Sequence, residues 1–586
     1  MQSKIKLFNK AIFKSTLKLN MWVSILNFAL LFLFILMPMM AAKMSYYDNL
    51  DTIKNILQFD FGGLQTLILC VVPVILGIGI TKFMQNKSQN IHIHSMPIER
   101  KQIFTTNIVA GIILLVVPII INLIGMLSIL GVSTFNQLGT EVVNWVYITF
   151  ALEFITFALT VMIGTIIGTG LMQTIFTYIF MLFPVGIYML IQFTLKIFVL
   201  GYTFKESTIE NSIVMKISIL PQIFMLGSVD IREKNITENL YLIYIIAAIV
   251  IIIASYFIYK VRKVEKTGDV VVFRKLNPIV KYGITFCFMI LIGLIVFLMF
   301  NDSIEYMISA YVITSVIAYF LAEMLIRKSV RVLDSYKGYS AYVVVMVIIF
   351  VGIKMDISGF ESRVPDISNV DEVYYDQINN YGVQVVLREK LNKEAILAMH
   401  RLILSEKLSK KYRSIGANIN LGYKLKNGKI MYREYIIDYT EEEQNAIENL
   451  EKIILGSQEY KKQVYEVFRD ENVENISKIE ISIDGSESKI YIDKKEEMQE
   501  LLEVMRKDTL EMSYERMNNT HMLSGGISDV IKYVYIQEDS NQGTESRYKY
   551  KPKSKSETSI NLYYNKSFKS TNNWLKQHNY YPNIQE

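Results

Sequence analysis

The sequence predicts a polytopic α-helical membrane protein, with about nine transmembrane helices followed by a C-terminal α+β soluble domain. Three observations carry this reading. Of 586 residues, 52% are hydrophobic and mean hydropathy is +0.29, too apolar for an ordinary soluble chain. The long apolar runs crowd into residues 1–355, while 357–586 are rich in Lys, Glu, Asn and Tyr. Cations collect in alternate connectors between the runs, the 168–170 connector being too short to count, as the positive-inside rule requires.

The formal charge of +6 is therefore unevenly spread, because the tail is slightly acidic. Lysines and arginines beside apolar runs point to membrane topology and not to nucleic acid. Only Cys70 and Cys287 occur, both inside apolar runs, so no disulfide is expected in the tail. No cleavable signal peptide is expected, since the first apolar run, starting near Met21, lacks a small-residue cleavage pattern.

Residues 1–20 read as an amphipathic cytoplasmic interfacial helix. Lys6, Lys10, Lys14 and Lys18 recur at i, i+4, with Ile5, Phe8, Ile12 and Leu19 on another face. Such a helix lies along an anionic leaflet or forms the basic flank of the first span; either way the N-terminus is cytoplasmic. Spans of roughly 20 apolar residues follow at about 21–42, 62–81, 107–130, 145–167, 171–196, 240–259, 283–300, 306–326 and 339–355. Trp22, Trp145, Tyr241 and Tyr306 stand near run ends, where interfacial anchors are expected.

The connectors decide orientation. Those at 82–104, 260–281 and 327–337 carry Lys82, Lys87, Arg100, Lys101, Arg262, Lys266, Arg274, Arg327 and Lys328 among others. The alternate connectors at 43–60, 131–142 and 301–305 carry Asp48, Asp51, Asp60, Glu141, Asp302 and Glu305 against Lys43 and Lys54. With an inner N-terminus and nine spans, the domain at 356–586 is extracytoplasmic. Residues 21–260 form a six-span core and 261–355 add three helices.

The polar interruption Thr81–Asn107 holds His92, His94, Pro97 and the charged run Glu99-Arg100-Lys101. Pro97 suits a helix start, so a short helix from Ile98 to Phe104 is expected to offer a rigid face to a soluble partner. In the outer connector 201–239, the fifteen or so residues from Ile213 to Gly227 are apolar but too short to span, fitting a re-entrant or interfacial segment or a packed loop. Gly164, Gly168 and Gly170 allow close approach near residue 167, and Pro38, Pro73, Pro118 and Pro184 are expected to kink four spans.

Glu153 is the acidic residue well inside a span. An intramembrane carboxylate is costly in lipid and so marks function, or else a neutral carboxyl that fixes packing. Glu323, one turn from a span end, is expected to snorkel and pair with Arg327 at i+4.

In the tail, strands are expected within 369–387 and a helix over 391–411. A hairpin closes at Asn427-Gly428, and a helix capped by Thr440 runs to about 469. Strands near 477–483 and 488–493 flank Asp484-Gly485. A helix over 494–507, strands at 529–537 and 558–564, and a helix over 570–578 complete a repeated hairpin–helix theme, with 539–557 a mobile polar loop. Gly422 to Lys429 superficially matches a phosphate loop, but Ile430 replaces the hydroxyl that would bind magnesium. His92 and His94 lack a third ligand, His-Glu-x-x-His is absent, and Ser15-Thr16-Leu17-Lys18 has no partner motifs. No catalytic group, metal site or cofactor site is expected in the chain.

The first 260 residues resemble an ABC transporter permease of the ABC-2 exporter class. The resemblance rests on the N-terminal helix, the loop His94-Ser95-Met96-Pro97-Ile98-Glu99-Arg100-Lys101-Gln102, the Gly-Thr-Gly turn at 168–170 and the apolar outer segment. It implies a plasma-membrane subunit that pairs with a second permease chain, alike or different, and exports a substrate. Work would come from a separate cytoplasmic ABC ATPase subunit, which binds the ATP and Mg. Pro97, Ile98, Glu99, Arg100, Lys101 and Gln102 stand where that family contacts its ATPase, and the outer segment where it is re-entrant. Glu265-Lys266-Thr267-Gly268-Asp269, Phe286-Cys287, Ala322-Glu323-Met324 and Ser567-Phe568-Lys569 with Trp574-Leu575-Lys576 are similar to a Gram-positive subgroup with extra spans and an external domain. The alternative from another class is a membrane-tethered receptor whose external domain binds a ligand.

Overall fold

The structure, a computed structural model, describes residues 8–44, 50–59, 64–204, 212–226, 238–377, 385–405, 417–437, 441–468, 476–482, 489–514, 530–536, 557–563 and 568–580. Lys6, Asp48, Asp60, Gly227, Thr440, Asp484-Gly485 and, apart from Glu557, the 539–557 loop lie outside the described residues. Packing divides the chain into two units, Met1–Thr194 with Phe204–Ile349, and Leu195–Thr203 with Phe350–Glu586.

The first unit is helical. Among the described residues nine helices are long and apolar enough to cross a membrane, one for each apolar run. Helix α1 (Lys10–Leu31) continues through a π-helical turn, Phe32–Leu36, into α2 (Met37–Met44). The interfacial helix over 1–20 is therefore not a separate element, and the alternative, a basic flank of the first span, fits the continuous α1. Thr16, Asn20 and Asn27 form a buried polar edge along α1, with Asn20 Nδ2 donating back to the Thr16 carbonyl at 2.9 Å. The stretch that reads as surface-bound is thus the first third of one long helix. A short α3 (Leu50–Leu57) precedes α4 (Leu64–Thr81) and the connector helix α5 (Lys87–Ser95).

Helix α6 (Arg100–Ile166) comprises two limbs, Arg100–Val132 and Thr134–Ile166, separated only at Gly131. Gly131 takes φ 67°, a conformation open to glycine. The expected loop at 131–142 is therefore mostly helix. Each limb of 33 residues is about 50 Å long at 1.5 Å per residue, more than a hydrocarbon core needs. Trp145 is 1% exposed and Tyr241 4%, so these two are core residues and not interfacial anchors; Trp22 and Tyr306, each 56% exposed, lie on the bundle surface.

Helix α7 (Gly170–Phe198) is followed by two short helices, α8 (Ile213–Ile217) and α9 (Ile219–Met225), in the apolar outer segment. Ser218 between them accepts from Val185 N at 2.9 Å, just past Pro184. Tyr244 Oη of α10 (Glu238–Val261) donates to the Lys216 carbonyl at 2.5 Å, and Ile223 is fully buried. The segment is a helical wedge in the bundle. Helices α11 (Asn277–Met299), α12 (Ile304–Arg327) and α13 (Tyr336–Lys354) complete the unit. Glu323 does pair with Arg327, at 2.6 Å, but also with Lys281 at 2.8 Å and Ser335 Oγ at 2.9 Å. It ties the last three helices together and does not reach for solvent.

The second unit carries two four-stranded antiparallel sheets. The first holds β1 (Val370–Gln377), β2 (Val385–Leu387), β3 (Ala417–Leu425) and β4 (Ile430–Ile437), in order β2-β1-β3-β4. The second holds β5 (Ile476–Ser482), β6 (Lys489–Ile492), β7 (Val530–Ile536) and β8 (Glu557–Tyr563), in order β6-β5-β7-β8. Helices α14 (Lys390–Ser405) and α17 (Lys495–Glu511) stand at matching places between hairpins. Helix α15 (Glu441–Gly456), then α16 (Gln458–Val464), closes the first half, and α18 (Lys569–Gln577) the second. Registers match as well: Val373 pairs Tyr423, and Ile479 pairs Tyr533. Each central strand has an irregularity after its first residue, at Val370/Glu372 and at Ile476/Lys478. The expected hairpin–helix theme is one ββαββα unit used twice.

Asn427-Gly428 closes the β3–β4 turn, with Gly428 at φ 81°, so the superficial phosphate loop is a hairpin. The helix expected to run from Thr440 to 469 breaks at Ser457, whose side chain caps α16. The sequence did not reveal that Leu195–Thr203 belongs to this unit. Lys196 pairs with Glu434 at 3.1 Å, Leu200 N donates to Glu361 at 2.8 Å, and Gly201 sits against Tyr435 where a Cβ would come within 2.7 Å.

Candidate functional site

Two polar assemblies stand out in the helical unit. The first joins three connectors at one end of the bundle. After α4, the chain turns into α5, whose start is capped by Asn86 accepting from Ser88 N and Gln89 N. Met96 before Pro97 is extended, φ −74° and ψ 148°, as a residue preceding proline prefers. The chain stays non-helical through Glu99, the extended residue that precedes α6. The short helix expected from Ile98 to Phe104 is thus absent as a separate element. The presented helix lies before Pro97, not after it, and it carries His92 and His94.

Arg262 locks this end. Its side chain is 4% exposed, and Nη1 donates to the carbonyls of Gly164 at 2.7 Å, Thr165 at 3.0 Å and Ile167 at 3.3 Å, while Nη2 donates to Met84 at 2.8 Å. One guanidinium so caps the ends of α4 and α6, where carbonyls lack helical partners. Burial pushes its pKa down to about 10, so it remains a cation at neutral pH. Arg100 does the same for α10, donating to the carbonyls of Lys260 at 3.0 Å and Arg262 at 2.8 Å.

The turn at 167–170 lies on the stretch after Arg262. Gly168 N donates to the Asp269 carbonyl at 3.0 Å, Gly268 N to the Gly168 carbonyl at 3.1 Å and Val272 N to the Ile166 carbonyl at 2.9 Å. A Cβ on Gly168 would lie 2.3 Å from the Asp269 oxygen, which explains this glycine. Asn90 of α5 bonds Thr267, and Tyr259 Oη meets His94 Nε2 at 3.0 Å while His94 Nδ1 meets the Asn90 carbonyl at 2.8 Å. Burial first, and then the Arg100 and Arg262 charges, hold His94 below its usual range, against the pull of the Asn90 carbonyl.

Of the six expected contact residues, Pro97, Glu99 and Lys101 are exposed. Ile98 packs on the core, Arg100 caps α10, and Gln102 Nε2 donates to the Phe8 carbonyl at 3.0 Å. What the surface offers besides is α5 itself: Lys87 and His92 are exposed and Ile91 is 64% exposed. Lys101, Lys260, Lys263, Lys275 and Lys328 are exposed at the same connector end.

The second assembly is a stripe on the second limb of α6. Thr149, Glu153, Thr156 and Thr160 recur at i+4, i+3 and i+4, all with 0% exposure, which places them on one face. Near its end, Gln173 of α7 donates to the Thr160 carbonyl at 2.8 Å and to Thr81 Oγ1 at 3.0 Å. Gly77 and Gly164 permit this approach; a Cβ on either would lie 2.7 Å from Thr160 or 2.5 Å from Gln173. Glu153 faces Asn27 of α1, whose Nδ2 lies 3.3 and 3.4 Å from the two carboxyl oxygens. Among the described residues no cationic side chain pairs with Glu153, and Asn27 Oδ1, Thr149 Oγ1 and Thr156 Oγ1 have no hydrogen-bond partner.

No family model, curated protein or solved structure matches this chain. The reading of its function rests on the residues themselves.

Proposed function

We propose that this chain is a multi-pass membrane permease subunit, driven by a separate cytoplasmic ATPase that docks on α5. One observation carries the reading: an apolar side chain, Ile91, stands exposed on a short helix fastened to the ends of α4, α6 and α10. A partner pushing on α5 acts on three helix ends at once through Asn90–Thr267, His94–Tyr259 and the Arg100 and Arg262 caps. Exposed lysines around it suit an acidic partner surface, and the positive-inside rule puts this end in the cytoplasm. ATP and Mg belong to the partner, and the resemblance to ABC-2 exporters names its class.

The test is purification of the tagged full-length chain from its native membranes, with an ATPase subunit expected to co-purify. Ile91→Glu places a charge at the centre of the contact without touching the internal bonds. Capture is expected to fall at least tenfold, since a buried hot-spot residue contributes about 2 kcal/mol or more, while yield and melting temperature hold. Undiminished capture in Ile91→Glu removes α5 as the docking element. A stable complex with a histidine kinase and no ATPase replaces the permease with a receptor.

A further inference from the structure

We propose that Glu153, with Asn27, Thr149 and Thr156, forms a site inside the helical bundle for a small hard monovalent cation, a proton or a sodium ion. The argument starts from what the carboxyl lacks. Glu153 is fully buried, and among the described residues its bonding partner is the Asn27 amide at 3.3 and 3.4 Å, beyond the ~2.7–2.9 Å of a charge-assisted bond. A buried charge without a partner is unfavourable by several kcal/mol. Either a proton or a metal cation removes that cost.

The neighbours fit such a guest. Threonines elsewhere in these helices turn their hydroxyls back to their own backbone: Thr160 to Thr156, Thr177 to Gln173 and Thr194 to Leu190. Thr149 and Thr156, four residues before and three after Glu153, do not, and their oxygens are buried and unpartnered. They put hard oxygen donors on the helix face that carries the carboxylate, and Asn27 of α1 adds Oδ1, chemistry that suits sodium and not a softer metal. Asn27 serves both occupancies. Its amide N–H faces an empty carboxylate, and a flip of the amide turns Oδ1 toward a bound cation or toward the acid O–H.

Among the described residues no other ionisable side chain bonds Glu153. On α1 the nearest, Lys18, is nine residues from Asn27, about 13 Å along the helix. The other described ionisable side chains on the packed helices are Lys10 and Lys14 of α1, Lys43 of α2, Asp51 and Lys54 of α3, Cys70 of α4, Tyr241, Tyr244, Tyr256, Tyr259 and Lys260 of α10, and Arg100, Lys101, Glu141 and Tyr147 of α6. None bonds Glu153.

The experiment uses the full-length protein in lipid nanodiscs. Melting temperature is followed in sodium, potassium and choline chloride at equal ionic strength, and across pH in choline, with infrared difference spectra of the carboxyl band. A sodium site raises the wild-type melting temperature in sodium alone. A proton site shifts it with pH as the acid carbonyl band of Glu153 appears or disappears. Glu153→Gln abolishes whichever response is seen, and Thr156→Val moves its midpoint. The proposal fails if wild type and Glu153→Gln respond alike to sodium, potassium and pH. Should Glu153→Gln not fold, the Thr149→Val/Thr156→Val double variant decides, and a response identical to wild type overturns the site.

Discussion

The two polar assemblies of the helical unit are built on opposite plans. At the connector end, the two terminal nitrogens of Arg262 bond four carbonyls and Arg100 bonds two more, while Arg262 Nε and Asn90 Oδ1 are buried without a hydrogen-bond partner. Along the α6 stripe, Glu153 has one weak partner and three nearby oxygens have none. Satisfied buried networks hold a structure in one arrangement, whereas unsatisfied ones carry a cost that a ligand can relieve. The contrast separates an end held by charged donors from a stripe with few bonds, the two places to which we assign partner docking and cation binding.

Breaking the platform has the largest expected effect. Arg262→Met fills the space but leaves four helix-end carbonyls without donors, at about 1–3 kcal/mol for each group left buried. Recovery of folded full-length protein is expected to collapse. Arg262→Lys, which keeps the charge but loses the planar fork, is expected to lie between, as size-exclusion profiles in detergent would report.

The tail sharpens the comparison with a buried polar residue that is fully bonded. His400 lies between Tyr435 Oη at 2.7 Å on Nε2 and Tyr423 Oη at 2.9 Å on Nδ1. Burial, helped by the Arg433 and Arg401 charges, pushes its pKa down to about 3. The sign follows directly. The unfolded chain takes up a proton near pH 6.5 and the folded one does not, so stability falls as pH drops through that range. From pH 7 to about pH 5 the loss attributable to His400 is about 2 kcal/mol. His400→Gln is expected to flatten that part of the acid dependence in thermal melts of the full-length protein.

The smallest effect is expected on the stripe. Thr156→Val removes a hydroxyl that bonds nothing and keeps the side-chain shape. Stability without sodium at neutral pH is expected to change by less than about 0.5 kcal/mol, or to rise, because two apolar surfaces replace a stranded oxygen. A loss above about 2 kcal/mol would mean that the hydroxyl is already engaged, and the contrast with the platform would vanish.

Much of this architecture was legible in the residues alone. Among the described residues, each of the nine apolar runs falls in a long apolar helix, because length and hydropathy are local properties. In the tail, alternation and the Asn427-Gly428 turn predicted the strands and the β3–β4 hairpin to within a few residues. Pro97 misled because the same ring that suits a helix start also holds its predecessor extended, and the Asn86 cap had already begun a helix upstream. Trp145 and Tyr241 misled because an aromatic near a run end looks the same whether it faces headgroups or another helix.

Tertiary packing decided the rest. That Arg262 is buried against α4 and α6, that Leu195–Thr203 joins the tail unit, and that Asn27 meets Glu153 across 126 residues of chain leave no local signature. Periodicity tells which face of a helix is buried, but not which side chain waits on the other side. The sequence by itself determined the elements and marked Glu153 as unusual; only the fold decided its partners, because hydrogen-bond satisfaction is a property of the assembled core.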